Sequence, residues 1–311
     1  MSVYDAEVLG FYLRLEPIEV LRLFMKKCIR CDAVVTNDWN CTSCLNKVDT
    51  AHGSFILSPE FSVDEHGYDA DAYKIYSELE KGHFWFEARI ALIKKLMARH
   101  FPDAREFLEV GCGTGYVLSE IENAFPDLSV AGSELLVEGL DVARQRTRNA
   151  TYYQLDARKM PFESEFDVIG AFDVLEHISE DSSVLSTMYQ AVKPGGGIIV
   201  TVPQHSFLWS EADNYAMHKR RYNRKELVKK VEDAGFDVAM VSSFVSFLFP
   251  LMFISRLIQK RSSSPYDPSG ELKISTLANS LFKLTMNVER LLLTIGLRFP
   301  FGGSLILVAT K

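Results

Sequence analysis

At 311 residues the chain can hold one large domain with appendages, and its 47% hydrophobic and 24% charged residues are those of a globular protein. A net charge of −7 argues against general nucleic-acid affinity and leaves only local basic patches. No uncharged apolar run reaches the roughly 18 residues that span a bilayer, and Met1-Ser2-Val3-Tyr4-Asp5 has no basic stretch leading into an apolar core. The expectation is a cytoplasmic protein, at most peripheral to a membrane.

Residues 7–27 are apolar and predict a helix, with Pro17 suited to its first turn. Cys28-x-x-Cys31 and Cys41-x-x-Cys44 follow, separated by nine residues. Two such turns can converge four thiolates on one tetrahedral ion, so a structural Zn2+ held by Cys28, Cys31, Cys41 and Cys44 is expected. Two disulfides or unpaired thiols are the alternatives, and a reducing compartment disfavours the first. Residues 1–67 are read as this amino-terminal segment. Residues 68–104 are read as a helical lid or linker, broken near Lys81-Gly82 and carrying His83-Phe84-Trp85-Phe86-Glu87-Ala88-Arg89.

Residues 105–311 are read as the main domain. A short apolar strand, Glu106–Val110, runs into Glu109-Val110-Gly111-Cys112-Gly113-Thr114-Gly115, and a helix is predicted over 116–121. Alternate glycines allow a tight bend and close approach of backbone to a ligand, and the helix start offers free N–H groups. Further strands are predicted over 128–131, ending at Glu134, over 152–155, ending at Asp156-Ala157, and over Phe166–Phe172, ending at Asp173. A helix over 182–192 leads through Lys193-Pro194-Gly195-Gly196-Gly197 to strands over 196–202, 236–244 and Ser304–Thr310. This rhythm predicts an α/β, doubly wound parallel sheet, with Glu109, Glu134, Asp156 and Asp173 at the carboxyl ends of its strands, where ligands bind.

These elements together resemble the class I S-adenosylmethionine-dependent methyltransferases. The resemblance covers about residues 83–244 and the last strand, and rests on E-V-G-C-G-T-G, Glu134, L-D-A at 155–157, F-D-V-L-E-H-I at 172–178 and K-P-G-G-G at 193–197. It implies a seven-stranded Rossmann-like sheet whose glycine loop, Gly111, Gly113 and Gly115, faces the methionine part of S-adenosyl-L-methionine. It also implies that Glu134 holds the ribose, that Asp156 with Ala157 meets the adenine, and that Glu109 and Asp173 border the same site. Many relatives have an H-x-W-F-x-x-R stretch whose arginine lies near the cofactor carboxylate, which implies this role for Arg89. A salt bridge on a packed aromatic helix is the other reading of that residue. A nicotinamide-binding doubly wound domain is the competing reading of the whole unit.

Transfer to a hydroxyl needs a base or a metal ion beyond the fourth and fifth strands. The candidates are Asp173, His177, His205 and His218. A second metal site from Glu176, His177 and His218, taking Mg2+ or Mn2+, resembles the E-x-x-E-H cluster of small-RNA 2′-O-methyltransferases and ubiquinone-pathway O-methyltransferases. Here Asp173 stands for the first glutamate. The stretch from His205 to Tyr222 resembles one found in uncharacterised methyltransferases associated with surface-polysaccharide genes, and Asp213, Arg221 and Tyr222 are its candidate substrate contacts. Arg220 or Arg221 would suit a phosphate or carboxylate on the acceptor. The expected activity is O-methylation of a glycan, a lipid-linked saccharide or a related small metabolite. A metal-assisted 2′-O-methyltransferase for RNA ends and a catalytically silent, partner-binding subunit are the alternatives, with nucleic acid disfavoured by charge.

Some sixty residues separate the last two strands, where the family uses a short connection. Residues 244–258 are strongly apolar with Pro250 near the start of a helix, and end in Gln259-Lys260-Arg261. A second helix carries Leu277, Leu281, Leu284, Val288, Leu291 and Ile295 as a stripe. This helical insert, residues 245–300, is expected to pack as a lid, form a homodimer, or lie on a membrane surface near a lipid-linked substrate.

Overall fold

The computed structural model describes residues 25–35, 39–61, 73, 77–259 and 274–311, so most of the helix predicted over 7–27 lies outside the described residues. Met25–Lys27 forms strand β1 instead, pairing with β2 (Val34–Val35). Next come β3 (Thr50–Ala51), β4 (Ser54–Ile56), α1 (Phe84–His100), β5 (Glu106–Val110), α2 (Tyr116–Ala124), β6 (Ser129–Glu134), α3 (Val137–Arg144), β7 (Thr151–Gln154), β8 (Phe162–Glu163) and β9 (Phe166–Phe172). The chain continues through α4 (Asp181–Ala191), β10 (Val192–Pro203), α5 (Glu211–Tyr215), α6 (Arg224–Asp233), β11 (Asp237–Phe244), α7 (Phe249–Gln259), α8 (Thr276–Thr294) and β12 (Ser304–Thr310).

The main sheet runs β11-β12-β10-β9-β5-β6-β7-β4-β3. Every strand from β4 to β10 in that order pairs in parallel, while β12 is antiparallel to both β10 and β11. The seven expected strands are all present. The sheet has nine strands among the described residues because β4 adds beside β7 and brings β3 with it. That extension had no clear signal in the sequence, where residues 49–67 are mixed and turn-rich.

Successive residues of each central strand alternate between two buried layers, as the period of two requires when both faces are covered. Leu108, Ile169, Ile198 and Leu307 face α4 and α6, packing with Val184, Leu185, Met188 and Leu227. Phe107, Val168, Ile199 and Ile306 face the other layer, with Ile93 and Met97 of α1, Ile121 of α2 and Met286 of α8. The cysteine segment is continuous with the first layer. Trp39 is almost wholly buried, with its ring 5.8 Å from that of Phe162 and 6.2 Å from that of Tyr153, and β1 pairs with β8.

Both helices of the insert are present, with the linker 260–273 outside the described residues. α8 lies along α1: Asn279 accepts from the Phe84 N–H at 2.8 Å and donates to the Gly82 carbonyl at 2.7 Å, and Lys283 pairs with Glu87 at 2.8 Å. The Leu277-to-Ile295 stripe is not the face that packs there. Met286, Glu289 and Leu293 are buried, while the stripe points outward.

Because Trp39 joins the cysteine segment to the sheet, Trp39→Ala should destabilise the whole domain by about 3–5 kcal/mol, as expected for emptying a large aromatic site. A single shifted transition in denaturant, seen by both fluorescence and circular dichroism, is the expected readout.

Candidate functional site

The glycine bend forms where β5 meets α2. Gly111, Gly113 and Gly115 have φ of +66°, +50° and +72°, a region that side chains with a Cβ rarely occupy. A Cβ on Gly115 would stand 2.6 Å from Ala143 Cβ, and one on Gly111 2.6 Å from Val174 Cγ2. At Gly113 a Cβ would meet no protein atom within 4 Å, so the backbone there borders open space. That space is a cavity of about 690 Å³ over the carboxyl ends of β5, β6, β7 and β9, lined by Gly111, Gly113, Glu134, Asp156, Asp173 and His177 among others.

Glu134 is the acid at the end of β6. Its carboxylate accepts from the Leu135 N–H at 2.7 Å and the Gly113 N–H at 3.1 Å. Burial raises its pKa, and these amides oppose the rise. Asp156 accepts from both Nε and Nη2 of Arg158, at 2.9 and 2.8 Å, and Arg158 also reaches Glu180. Burial works against the Asp156 charge, but the Arg158 bonds outweigh it and hold its carboxyl below the usual range. Ala157 follows on the same wall. Glu109 is buried, its pKa pushed well up by desolvation, and its Oε2 has no hydrogen-bond partner.

Arg89 is nearly buried on α1, where it pairs with Asp173 and stacks its guanidinium 4.3 Å from the Trp85 ring centre. It therefore occupies the salt-bridge arrangement, and does so at the cavity edge, since Asp173 lines the cavity. Asp173 itself takes a φ of +59°, and Leu175–His177 forms a short 3-10 turn, not an α-helical one.

Glu176, His177 and His218 come together, each offering a ligand atom within 4.8 Å of the others. Glu176 is 0% exposed and neither carboxyl oxygen has a hydrogen-bond partner. Burial raises its pKa well above normal, and the Asp173 charge adds to this. Burial and then the neighbouring His218 lower His177 to about 4. The His218 ring is 4.6 Å from that of His177, and its Nε2 is 4.0 Å from Glu176 Oε1.

What aims His218 is Asp213. His218 Nδ1 lies 2.8 Å from Asp213 Oδ1, and Arg221 clamps the same carboxylate with Nε at 2.8 Å and Nη2 at 2.9 Å. Burial opposes the Asp213 charge, yet the bonds from His218 and Arg221 keep its carboxyl well below the usual range. With Nδ1 held by a carboxylate, His218 Nε2 is the nitrogen left to accept a proton or a cation. Asp213 and Arg221 thus position His218, and neither is a free contact for an acceptor.

Tyr222 takes a different place from the expected one. It is fully buried and its hydroxyl donates to Asp181 at 2.7 Å. The basic stretch beside it is largely spent on structure: Arg220 and Lys230 pair with Asp181, and Arg224 donates to the Val241 and Phe299 carbonyls. His205, at φ +64°, sits between Phe207 and Phe301, with ring centres at 4.8 and 5.6 Å, and close to Phe249. It is not a member of the Glu176–His177–His218 group and does not line the cavity.

Some residues escaped the sequence reading. Thr114 Oγ1 donates to buried Glu80 at 2.7 Å, and Arg146 donates to the same carboxylate at 2.6 Å, tying the glycine bend to the segment before α1. Arg158 and Lys219 both line the cavity. Only the place of Arg158, two residues beyond Asp156, hinted at its role.

In the cysteine segment, Cys28 and Cys44 sulfurs are 3.6 Å apart, as are those of Cys31 and Cys41. That is too long for a disulfide and close to the edge of a tetrahedron with ~2.3 Å metal–sulfur bonds. The Arg30 and Cys44 amides approach Cys28 and Cys41 sulfurs at 3.4 and 3.5 Å. Cys112 is buried behind the glycine bend.

The chain is similar to several known proteins. A probable S-adenosylmethionine-dependent methyltransferase of Mycolicibacterium smegmatis is 30% identical over 173 residues, 51% of this chain and 62% of that protein. A ubiquinone biosynthesis O-methyltransferase of Pseudomonas entomophila is 34% identical, covering 37% and 47%. The dTDP-3-amino-3,6-dideoxy-α-D-glucopyranose N,N-dimethyltransferase of Streptomyces fradiae is 29% identical, covering 48% and 58%. The chain thus spans about half the length of these curated relatives. The fold is also that of phosphoethanolamine N-methyltransferase 2 of Haemonchus contortus, solved with S-adenosyl-L-methionine, at a TM-score of 0.53, 19% identity and coverage of 80% of this chain and 58% of that one. A family model described as a methyltransferase domain matches residues 82–241, more than half of the chain, and the chain belongs to that family.

Proposed function

We propose that this protein is an S-adenosylmethionine-dependent methyltransferase acting on a hydroxyl of a glycan, a lipid-linked saccharide or a related small metabolite. The arrangement of Asp213, His218 and Glu176 beside His177, which lines the cavity, carries the choice of oxygen. The cavity suits the cofactor: an amide-held carboxylate at Glu134 and an open backbone at Gly113 both line it. Gly111, Gly113 and Gly115 would take its methionine part, Glu134 its ribose, and Asp156 with Ala157 its adenine. Arg89, now on Asp173, would be shared with its carboxylate. When bound, the cofactor supplies an electrophilic methyl group on a positively charged sulfur.

His218 Nε2 then accepts the hydroxyl proton, and Asp213 stabilises the charged ring that results. Buried Glu176 faces the same nitrogen. A second reading is favoured by the two unpartnered Glu176 oxygens: Glu176, His177 and His218 would hold Mg2+ or Mn2+, which lowers the pKa of a bound hydroxyl. In the amino-terminal segment Cys28, Cys31, Cys41 and Cys44 would hold a structural Zn2+, with no open position for chemistry. The Streptomyces fradiae and Pseudomonas entomophila relatives, by their names, act on a nucleotide sugar and in ubiquinone biosynthesis. A sugar-bearing acceptor, like that in the Streptomyces fradiae name, is the preferred class, and RNA ends fit a chain of net charge −7 less well.

Gly111→Ala should weaken S-adenosylhomocysteine binding by about tenfold or more in calorimetry, because the new methyl meets Val174 at a positive φ.

His218→Ala should cut turnover by roughly 10²–10⁴ with cofactor affinity unchanged. Restored turnover on adding magnesium or manganese after chelation would favour the metal reading, and indifference to both would leave His218 as the base.

Elemental analysis should find one zinc per chain, and Cys41→Ser should release it and lower the melting temperature.

A further inference from the structure

The insert between β11 and β12 leaves far more apolar surface than the fold covers. Leu277, Leu281, Leu284, Val288, Leu291 and Ile295 of α8 are each 45–83% exposed, repeating every four and three residues along the helix. The other exposed side chains between them, Ser280 and Asn287, are uncharged. On α7, Leu251, Phe253, Ile254, Leu257 and Ile258 are exposed too, so that helix is apolar on most of its circumference. A helix of that kind is stable only when something other than water surrounds it.

The charge of the insert narrows what that something is. Residues 245–303 carry seven cations, at Arg256, Lys260, Arg261, Lys273, Lys283, Arg290 and Arg298, of which Lys283 is already paired with Glu87, in a chain of net charge −7. Their acids are Asp267, Glu271 and Glu289, and Glu289 is buried, accepting from the Ser246 and Phe247 amides that precede α7. A second copy of the chain would bring two cation-rich inserts together. An anionic lipid surface instead offers apolar depth for the leucines and opposite charge for the cations. No described helix is long and apolar enough to cross a membrane, so the helices would lie in the surface.

The apolar surface also reaches the acceptor side of the sheet. Phe249 and Phe253 of α7 meet Phe207, and Phe249, Phe207 and Phe301 surround His205, just past the end of β10. Phe207 and Phe301 are exposed.

We propose that α7 and the outer face of α8 dock on an anionic lipid bilayer, and that the acceptor is the polar head of a lipid-anchored molecule presented from it. This rests on the methyl-transfer reading above and narrows its acceptor. The test is flotation of the full chain with vesicles of phosphatidylcholine and phosphatidylglycerol, beside vesicles of phosphatidylcholine alone. Co-flotation with the mixed vesicles is expected, weakened about tenfold or more without the anionic lipid and by raised salt. Leu281→Glu combined with Leu284→Glu should reduce it by about tenfold or more. Both sites are exposed, so the melting temperature and the S-adenosylhomocysteine affinity should stay unchanged. No flotation of the wild-type chain would overturn the proposal, as would a wild-type dimer in light scattering that the double variant dissolves without any vesicle binding. Loss of S-adenosylhomocysteine binding in the wild-type chain would instead strike the methyl-transfer reading, whatever the vesicles show.

Discussion

Three left-handed glycines within five residues are the constraint on which the site depends. They let the chain leave β5, turn under an open cavity and enter α2 within one turn, with Ala143 of α3 packed against one glycine and Val174 against another. Because the neighbours are so near, the bend cannot drift toward or away from β6 and β9. The acids at the ends of those strands are therefore fixed relative to the bend as well. Glu134 is tied to it directly through the Gly113 amide, and the Glu80–Thr114–Arg146 cluster fastens it from the opposite side.

Around this bend the protein concentrates carboxylates with few cations to balance them. Burial pushes up the pKa of Glu109, Glu134 and Glu176, whereas Asp156 and Asp213 are held charged by Arg158 and Arg221. The two kinds of acid do different work. The arginine-paired ones act as fixed struts that aim neighbouring groups, His218 above all. Glu109 and Glu176, with unpartnered oxygens, keep an unsatisfied demand for a proton, a hydrogen-bond donor or a positive charge, whereas Glu134 is held by backbone amides. A site with that demand favours binding of a ligand that carries a cationic centre.

The doubly wound core was legible because its strands bury both faces and end in glycine or acid, a pattern that survives in one sequence. The cysteine cluster was legible because two Cys-x-x-Cys turns at short separation can converge, and the four sulfurs do come together. What could not be read was decided by contacts between distant segments. Nothing near Ser54 or Ile56 announces a parallel partner at β7, and nothing near Glu80 announces Thr114. The partners of Tyr222 and Arg220 were missed for the same reason: a polar residue in a loop looks like a substrate contact until a buried acid such as Asp181 claims it. The α8 stripe was visible in the sequence, but its spacing gives only a face, and the face that packs on α1 turned out to be the other one.

The pairing of β4 with β7 also bears on how the sheet ends. Without it, β7 would present a bare row of amide and carbonyl groups, a template for strand addition by another molecule. β4 covers that row, and the two-residue β3 then closes the sheet with an edge too short to recruit further strands. The cysteine segment leads directly into these two strands, so unravelling it would loosen the cover over β7 and leave that row open to strand addition.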